Sequence, residues 1–235
     1  MSRAPAAASP YARLVLDTMP QACRIGLALG FVRTFGVPEV ATVLHGTGRL
    51  SAVPGERAKA TGVAMFALIG HGPGSAAGRR VVEELRRLHD RPDITPELMH
   101  YVLACFTLCP LRLIDGYGPR PVSGAERAAA FAFHRELADA LGLPPVPQPD
   151  LPALGSWMRD FEERRFAPSA AAHALWRSTG PVLAARLPAA PTPLAGVLAA
   201  ALLDDPLRAA LGVRHPPAPV RALAAGALRR GLRTT

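Results

Sequence analysis

The segment from residue 57 to residue 90 carries a guanidinium, a hydroxyl and an imidazole at spacings that could form one site. Arg57 and Thr61 are four residues apart, so on a helix they stand one turn apart on the same face. His89 closes an amphipathic segment that follows the Gly-rich break GHGPG. An imidazole that faces a pocket with a guanidinium and a hydroxyl can ligate haem iron or bind a polar ligand. These three residues are our candidate site.

Each of the three residues also has an ordinary structural interpretation. A histidine at the end of a helix is often a surface residue that interacts with the helix dipole. Arg57 could anchor the preceding loop, and Thr61 could donate a hydrogen bond to its own helical turn. The residues alone leave both interpretations open.

Four further residues are candidates for lining a substrate pocket: His71, His100, Tyr101 and Arg112. His71 lies in the Gly-rich break, which could form a lid or merely a turn. His100 lies in an apolar helix, where it is a minor candidate for a metal ligand. Arg112 opens the polar segment RLIDGYGPRPVSGAER, which we interpret mainly as a structural brace.

The elements that must position these residues are helices. Helical periodicity runs through nearly the whole chain, and no alternating segment between turn signals indicates a strand. The 235 residues therefore predict an all-α fold with a single multi-helix domain. We expect a flexible N-terminal arm at residues 1–11, the helical domain at 12–212, and a helical tail at 213–235 that packs on the domain.

Capping signals predict where several helices begin and end. Thr95 before a proline predicts the start of a long apolar helix, and Ser123 with Glu126 has the form of a capping box. Gly142 is placed to end the helix that the capping box begins. The helix from about residue 76 to His89 carries an apolar stripe that we expect to face the core: Val81, Val82, Leu85 and Leu88.

The composition restricts the partners of this protein. The formal net charge is +9, but the basic residues are dispersed and only 6 % of residues are aromatic. No basic arm or series of stacking aromatics accompanies the charge, so we expect no binding of nucleic acid. A local excess of arginine would more simply serve an anionic small molecule.

The cysteines and the apolar runs indicate a reducing compartment and no membrane span. Cys23, Cys105 and Cys109 form neither an even set nor a zinc pattern, and we expect them to be small buried hydrophobes. No segment has the form of a secretory signal, and the longest apolar runs are too short or are interrupted. These patterns predict a cytoplasmic location, and they leave open a homodimer or a partner protein.

Three stretches of the chain resemble one family, that of MpaB and the latex-clearing proteins, which are rubber oxygenases. They are VRTFGVPEVATVLHGTGRLSAVPGERAKAT, RRLHDRPDITPELMHYVLACFTLCPLRLIDGYGPRPVSGAERAAAFAFHRELADALGLPPVP, and FEERRFAP with LLDDPLRAALG. The resemblance covers residues 31–212. It implies a globin-like helical core, a haem b cofactor, and cleavage of carbon–carbon double bonds in isoprenoid chains with dioxygen.

The resemblance also assigns roles to the candidate site. It implies that His89 is the proximal haem ligand and that Arg57 and Thr61 lie on the distal side. Latex-clearing proteins carry a lysine just before this threonine, whereas Ala60 stands here. The chain's only lysine is Lys59, about 200° around a helix from Thr61, so we expect it not to reach the same site.

Three functions follow as hypotheses. The first is a haem b-dependent oxygenase that acts on a hydrophobic small molecule, isoprenoid or polyketide-like, in specialised metabolism. The second is a haem-free enzyme of the same fold that catalyses a cyclisation, elimination or group transfer on an anionic intermediate, with or without a partner protein. The third is a helical binding or scaffold module without catalysis.

Overall fold

The computed structural model describes residues 9–48, 54–187 and 192–233. These residues form α-helices, with a π-helical turn and a 3-10 turn but no strand, which confirms the predicted all-α fold. The helices are α1 Pro10–Arg13, α2 Pro20–Arg33, α3 Pro38–Gly46, α4 Pro54–His71, α5 Ala76–His89, α6 Pro96–Tyr117, α7 Gly124–Ala140, α8 Leu151–Arg165, α9 Ala170–Ala184, α10 Thr192–Ala201, α11 Asp205–Leu211 and α12 Ala218–Arg233.

Helices α2 and α6 approach each other closely at the centre of the fold. A Cβ atom at Gly26 would lie 2.4 Å from Cα of Pro110, and one at Gly30 would lie 2.7 Å from the backbone oxygen of Cys105. Both distances are shorter than real Cβ contacts, so the two backbones meet only because α2 has no side chain at these positions. The sequence GLALG of α2 therefore fixes the distance between the two central helices.

Helix α6 is also the most apolar long helix of the described ranges. By length and composition it is the single helix there that could cross a membrane, but 72 % of its apolar window is buried inside the protein. A bent pair formed by residues Pro20–Gly36 and Pro38–Gly46 passes the same test jointly, with a bend of 105°. This burial is typical of a core helix, and the predicted cytoplasmic location stays a prediction.

A buried ion pair joins α2 to α8 and α11. The guanidinium of Arg33 donates to both carboxylate oxygens of Glu162 at 2.6 Å, and to Asp204 at 2.6 Å. The hydroxyl of Tyr101 donates to Glu162 at 3.1 Å, so α6 joins the same network. Only 6 % of the Glu162 side chain is exposed. A carboxylate buried this deeply is stable only with partners of this kind.

A second buried polar contact joins α6 to α7. Nδ1 of His134 lies 3.1 Å from the hydroxyl of Thr107, which itself donates to the backbone oxygen of Leu103. Only 1 % of His134 is exposed, and burial together with the nearby charge of His100 lowers its pKa to about 4. The imidazole is therefore neutral in the folded protein at physiological pH.

Most of the predicted helix ends are confirmed. The hydroxyl of Thr95 accepts from the Leu98 amide at 3.3 Å, and Ser123 with Glu126 forms the predicted capping box. Helix α7 ends at Ala140, two residues before Gly142.

Three predictions about the outer parts of the chain have different outcomes. The expected stripe of α5 is wrong at Leu88, which is 43 % exposed, whereas Val82 is buried. Tyr11 is 1 % exposed, so the folded region begins before residue 12, whereas residues 1–8 of the predicted arm lie outside the described residues. Helix α12, which lies in the predicted tail, buries Leu228 and Leu232 in the core.

The contact between α2 and α6 predicts a specific loss of stability. We expect Gly30→Ala to destabilise the protein by about 1–3 kcal/mol, because the added carbon overlaps a backbone oxygen that cannot move independently. The control is Gly116→Ala, near the exposed end of α6, where a Cβ meets nothing within 4 Å. The control should be neutral or stabilising by up to about 1 kcal/mol. Urea unfolding measures both, and equal effects would contradict the proposed backbone contact.

The buried ion pair predicts unequal effects at its two carboxylates. Glu162→Gln should cost about 3–5 kcal/mol of unfolding free energy, because it leaves the Arg33 guanidinium without its buried charge partner. Asp204→Asn keeps the oxygen that caps α11, and the Asp204 side chain is 46 % exposed, so this change should cost about 1 kcal/mol or less. Chemical denaturation of both variants checks the order, and a larger effect at Asp204 would refute it.

The buried neutral histidine predicts a loss of stability in mild acid. The unfolded chain protonates His134 near its ordinary pKa of 6.5, whereas the folded protein resists protonation until about pH 4. Stability is therefore lost as the pH falls from about 6.5 towards 4, by about 2 kcal/mol between pH 7 and pH 5. His134→Gln should flatten this part of the pH profile of unfolding free energy, and an unchanged slope would assign the acid loss to other groups.

Candidate functional site

A cavity of about 490 Å³ lies between α2, α4, α6 and α9. This volume lies within the range of sites for small molecules, roughly 300–1,000 Å³. Most of its wall is apolar, and its mouth is open to solvent. The apolar side chains that line it include Leu27, Phe31, Val32, Met65, Phe66, Phe106, Val182 and Leu183.

Helix α2 forms one wall of this cavity because its two faces differ in residue size. Gly26 and Gly30 face α6, as described above. Arg24, Leu27 and Phe31 recur at spacings of three and four residues and line the cavity on another face. One helix thus closes the core on one side and shapes the cavity on the other.

The mouth of the cavity is cationic. Among the described residues, Arg24, Lys59 and Arg186 line the cavity and no carboxylate does. The guanidinium of Arg24 lies 5.7 Å from the ring centroid of Phe66, within the range of a cation–π contact. The amide of Gln21 donates to the backbone oxygen of Arg186 at 3.1 Å, which fixes the end of α9 against α2.

Arg186 is the most buried of the three cations. It is half-buried, forms no ion pair within the described part of the chain, and burial lowers the pKa of its guanidinium. A charged group that loses water without gaining a partner is unfavourable. An anionic ligand at this mouth would offset that cost.

Thr61 is the predicted site residue that this cavity contains. It is half-buried on α4 and lines the cavity together with Lys59. Our expectation that Lys59 would not reach the site of Thr61 is therefore wrong. The cavity opening extends over more than one face of α4, and a lysine side chain has a long flexible stem that can reach around the helix.

His89 lines a different cavity, of about 420 Å³, at the end of α5. Its Nδ1 atom lies 2.7 Å from the backbone oxygen of Leu85. A backbone carbonyl only accepts, so the network assigns the proton to Nδ1 and the lone pair to Nε2. This is the tautomer that a metal-ligating histidine uses when its second nitrogen is held by the backbone. The other residues of this cavity are Arg86, Arg87, Asp90, Ile94, Pro96, Met99, Leu141 and Leu143.

Two of the residues predicted for a haem site line different cavities. His89 has the tautomer of an iron ligand, and its cavity combines an apolar floor with guanidinium groups that suit carboxylates. Thr61 lines the other cavity, and the side chain of Arg57 lies outside the described side chains. The structure does not bring Thr61 and His89 into one cavity.

Two of the additional histidine and arginine candidates lie at the surface. His71 is exposed at the end of α4 and lines neither cavity. Arg112 is exposed on α6, also outside both cavities, and its guanidinium covers Gly155 of α8. Neither residue is placed to contact a ligand in the two cavities of the described structure.

The remaining two candidates are parts of the core. His100 is half-buried on α6, where burial lowers its pKa. Tyr101 is fully buried, stacks on Phe161 at a centroid distance of 4.6 Å, and donates to the buried Glu162. Tyr101 thus contributes to the network that holds α2, α6 and α8 together, and it lines neither cavity.

The polar segment between α6 and α7 is a brace, as interpreted. Arg120 donates to both carboxylate oxygens of Glu126, and these bonds, with the Ser123 backbone, lower the Glu126 pKa to about 2. Asp115 accepts from Arg127 at 2.6 Å. These bonds fix the turn that connects the two helices.

The sequence reasoning missed the two arginines at the cavity mouth. Arg24 and Arg186 lie far apart in the chain, on different helical regions, and only the folded structure brings them to one opening. One local signal was available for Arg24, which lies one turn before Leu27 in a largely apolar helix.

Comparison with known proteins assigns the chain to a family. Residues 18–234 match the family described as ER-bound oxygenase mpaB/B'/Rubber oxygenase, catalytic domain. An ER-bound oxygenase mpaB from Penicillium roqueforti (strain FM164) is 27 % identical over 198 residues, which are 76 % of this chain and 66 % of that protein. An ER-bound oxygenase mpaB' from Penicillium brevicompactum is 27 % identical over 203 residues, which are 78 % of this chain and 48 % of that protein.

The chain therefore spans between about half and two thirds of the length of these relatives. The family match covers nearly all of the helical domain, including both cavities. This chain belongs to the family of MpaB and rubber oxygenase catalytic domains.

Proposed function

We propose that this chain is a haem b-dependent oxygenase that acts on a hydrophobic small molecule, isoprenoid or polyketide-like. The observation that carries the proposal is the 490 Å³ cavity, largely apolar and placed in the catalytic domain of an oxygenase family. A hydrophobic substrate gains free energy by leaving water for such a wall. The same wall would exclude water from the reacting bond.

The deep part of the cavity supports a substrate that is apolar along its length. Phe106, Met65 and Leu183 are each less than 9 % exposed and line the interior. The buried hydroxyl of Thr179 already donates to the backbone oxygen of Leu175 at 2.7 Å, so its hydrogen is not offered to a ligand. A hydrocarbon chain satisfies these surroundings, whereas a polar group there would lose hydrogen bonds to water.

His89 is the proposed ligand of the haem iron. Its Nδ1 proton is held by the carbonyl of Leu85, which fixes the orientation of the ring, and Nε2 is the atom that we propose binds the metal. The haem, when bound, would supply the activation of dioxygen. Arg86 lines the same cavity and would provide positive charge for the carboxylates of the cofactor.

A second function has its own observation. The three cations at the mouth of the 490 Å³ cavity have no carboxylate among the described lining residues. They favour an anionic intermediate, which a haem-free enzyme of this fold would convert by a cyclisation, elimination or group transfer. Haem content separates this alternative from the oxygenase.

The decisive experiment is the visible absorption spectrum of the chain, expressed with a haem precursor, with a pyridine haemochrome assay for stoichiometry. We expect a Soret band and about one haem per chain. His89→Ala should abolish the band, because it removes the proposed iron ligand. His71→Ala is the matched control, since His71 is exposed and lines neither cavity, and it should leave the band unchanged.

Two results would contradict the proposal in different ways. Retention of the Soret band in His89→Ala would show that His89 is not the iron ligand, although the protein binds haem. A colourless chain that also refuses added haemin would exclude the haem enzyme and favour the non-redox alternative. Thr61→Val in a coloured chain should lower turnover of any alkene substrate without changing haem content, because Thr61 lines the substrate cavity.

A further inference from the structure

The geometry points to an anionic head group on the ligand of the 490 Å³ cavity. The cavity binds an amphiphile whose carboxylate or phosphate oxygens lie near Arg24 and Arg186, while its apolar chain extends towards Phe106 and Leu183. This inference rests on the proposed function only in taking the cavity as the substrate site. It does not require haem.

The distribution of charge around the cavity supports an anion. Arg24, Lys59 and Arg186 line the opening, and none of them forms an ion pair within the described ranges, although other arginines of the chain do. Arg33, Arg120 and Arg127 each pair with a carboxylate. The arginines that brace the fold are thus paired with carboxylates, whereas the described lining of the cavity holds three basic side chains and no carboxylate.

The side chain of Arg24 and the backbone of Arg186 are held in place before any ligand binds. The ring of Phe66 lies under the guanidinium of Arg24, with 5.7 Å between Cζ and the ring centroid. Gln21 holds the backbone at Arg186 against α2 through a 3.1 Å hydrogen bond. Side chains that are positioned in advance lose less conformational entropy when an anion binds. Guanidinium groups are also suited to carboxylate and phosphate oxygens, which they bind in pairs.

The second cavity offers a useful contrast. Its lining includes Asp90, and its Arg87 is already bound to both oxygens of Glu84. The positive charge at its mouth is thus partly neutralised by the chain itself. Among the described residues, the charged side chains that line the 490 Å³ cavity are all cationic, so the preference for an anionic head group is assigned there.

The test uses four ligands that have an unbranched chain of nine or ten carbons and different head groups: decanoate, decyl phosphate, decanol and decyltrimethylammonium. Isothermal titration of the full chain, at monomeric ligand concentrations, measures each affinity with and without bound haem. We expect decanoate and decyl phosphate to bind about tenfold or more tightly than decanol. The cationic ligand should bind most weakly.

Variants separate the head-group contacts from the apolar wall. Arg24→Met with Arg186→Met should reduce the preference for decanoate over decanol to less than about threefold, while the affinity for decanol stays the same. Arg177→Met is the matched control, because Arg177 is exposed on α9 and does not line the cavity. Val182→Trp fills the half-buried wall and should weaken all four ligands together.

The outcomes distinguish this inference from the proposed function. Equal affinities for decanoate and decanol, in a chain that binds haem, would overturn the inference and leave the oxygenase in place. A colourless chain that prefers decanoate to decanol would support this inference and contradict the haem-dependent oxygenase. A third outcome is that haemin displaces decanoate one for one and that the double arginine variant also lowers the affinity for haemin. The cavity mouth would then bind the carboxylates of the cofactor, and the inference would be wrong.

Discussion

The contact between the backbones of α2 and α6 is the constraint on which the rest of the structure depends. Gly26 and Gly30 allow α2 to lie against Pro110 and Cys105 with no side chain between them. This fixes the depth at which α2 sits in the core. The opposite face of α2 then presents Arg24, Leu27 and Phe31 to a space that α4 and α9 enclose. The cavity is thus a consequence of how closely two helices pack elsewhere.

The position of α2 also determines the surroundings of two of the chain's arginines. Arg33, at the end of α2, is buried and forms ion pairs with Glu162 of α8 and with Asp204, the N-cap of α11. Arg24 lies earlier on the same helix, at the cavity mouth. Its guanidinium contacts the ring of Phe66 and no carboxylate of the described residues. Two arginines on one helix therefore have opposite purposes: one holds distant helices together, and the other keeps a positive charge available to a ligand.

Features determined by neighbouring residues were predictable from the sequence, and features determined by distant residues were not. The capping box at Ser123 and the N-cap at Thr95 depend on three-residue spacings, and both form as predicted. The stripe of α5 failed at Leu88 because periodicity does not show where a helix leaves its neighbour. Arg24 and Arg186 line one cavity only because of tertiary packing. No local sequence pattern predicts that packing. The separation of Thr61 from His89 has the same cause.

The junction between α4 and α5 fixes the relative placement of the two helices that carry Thr61 and His89. Gly72 turns the chain with a φ of +77°, and a Cβ at Gly78 would lie 2.0 Å from the backbone oxygen of Gly72. Helix α5 therefore begins tightly against the turn that ends α4. Because the two backbones meet here with no side chain between them, the start of α5 is fixed relative to the end of α4. This tight junction contributes to the placement of Thr61 and His89 at two different cavities.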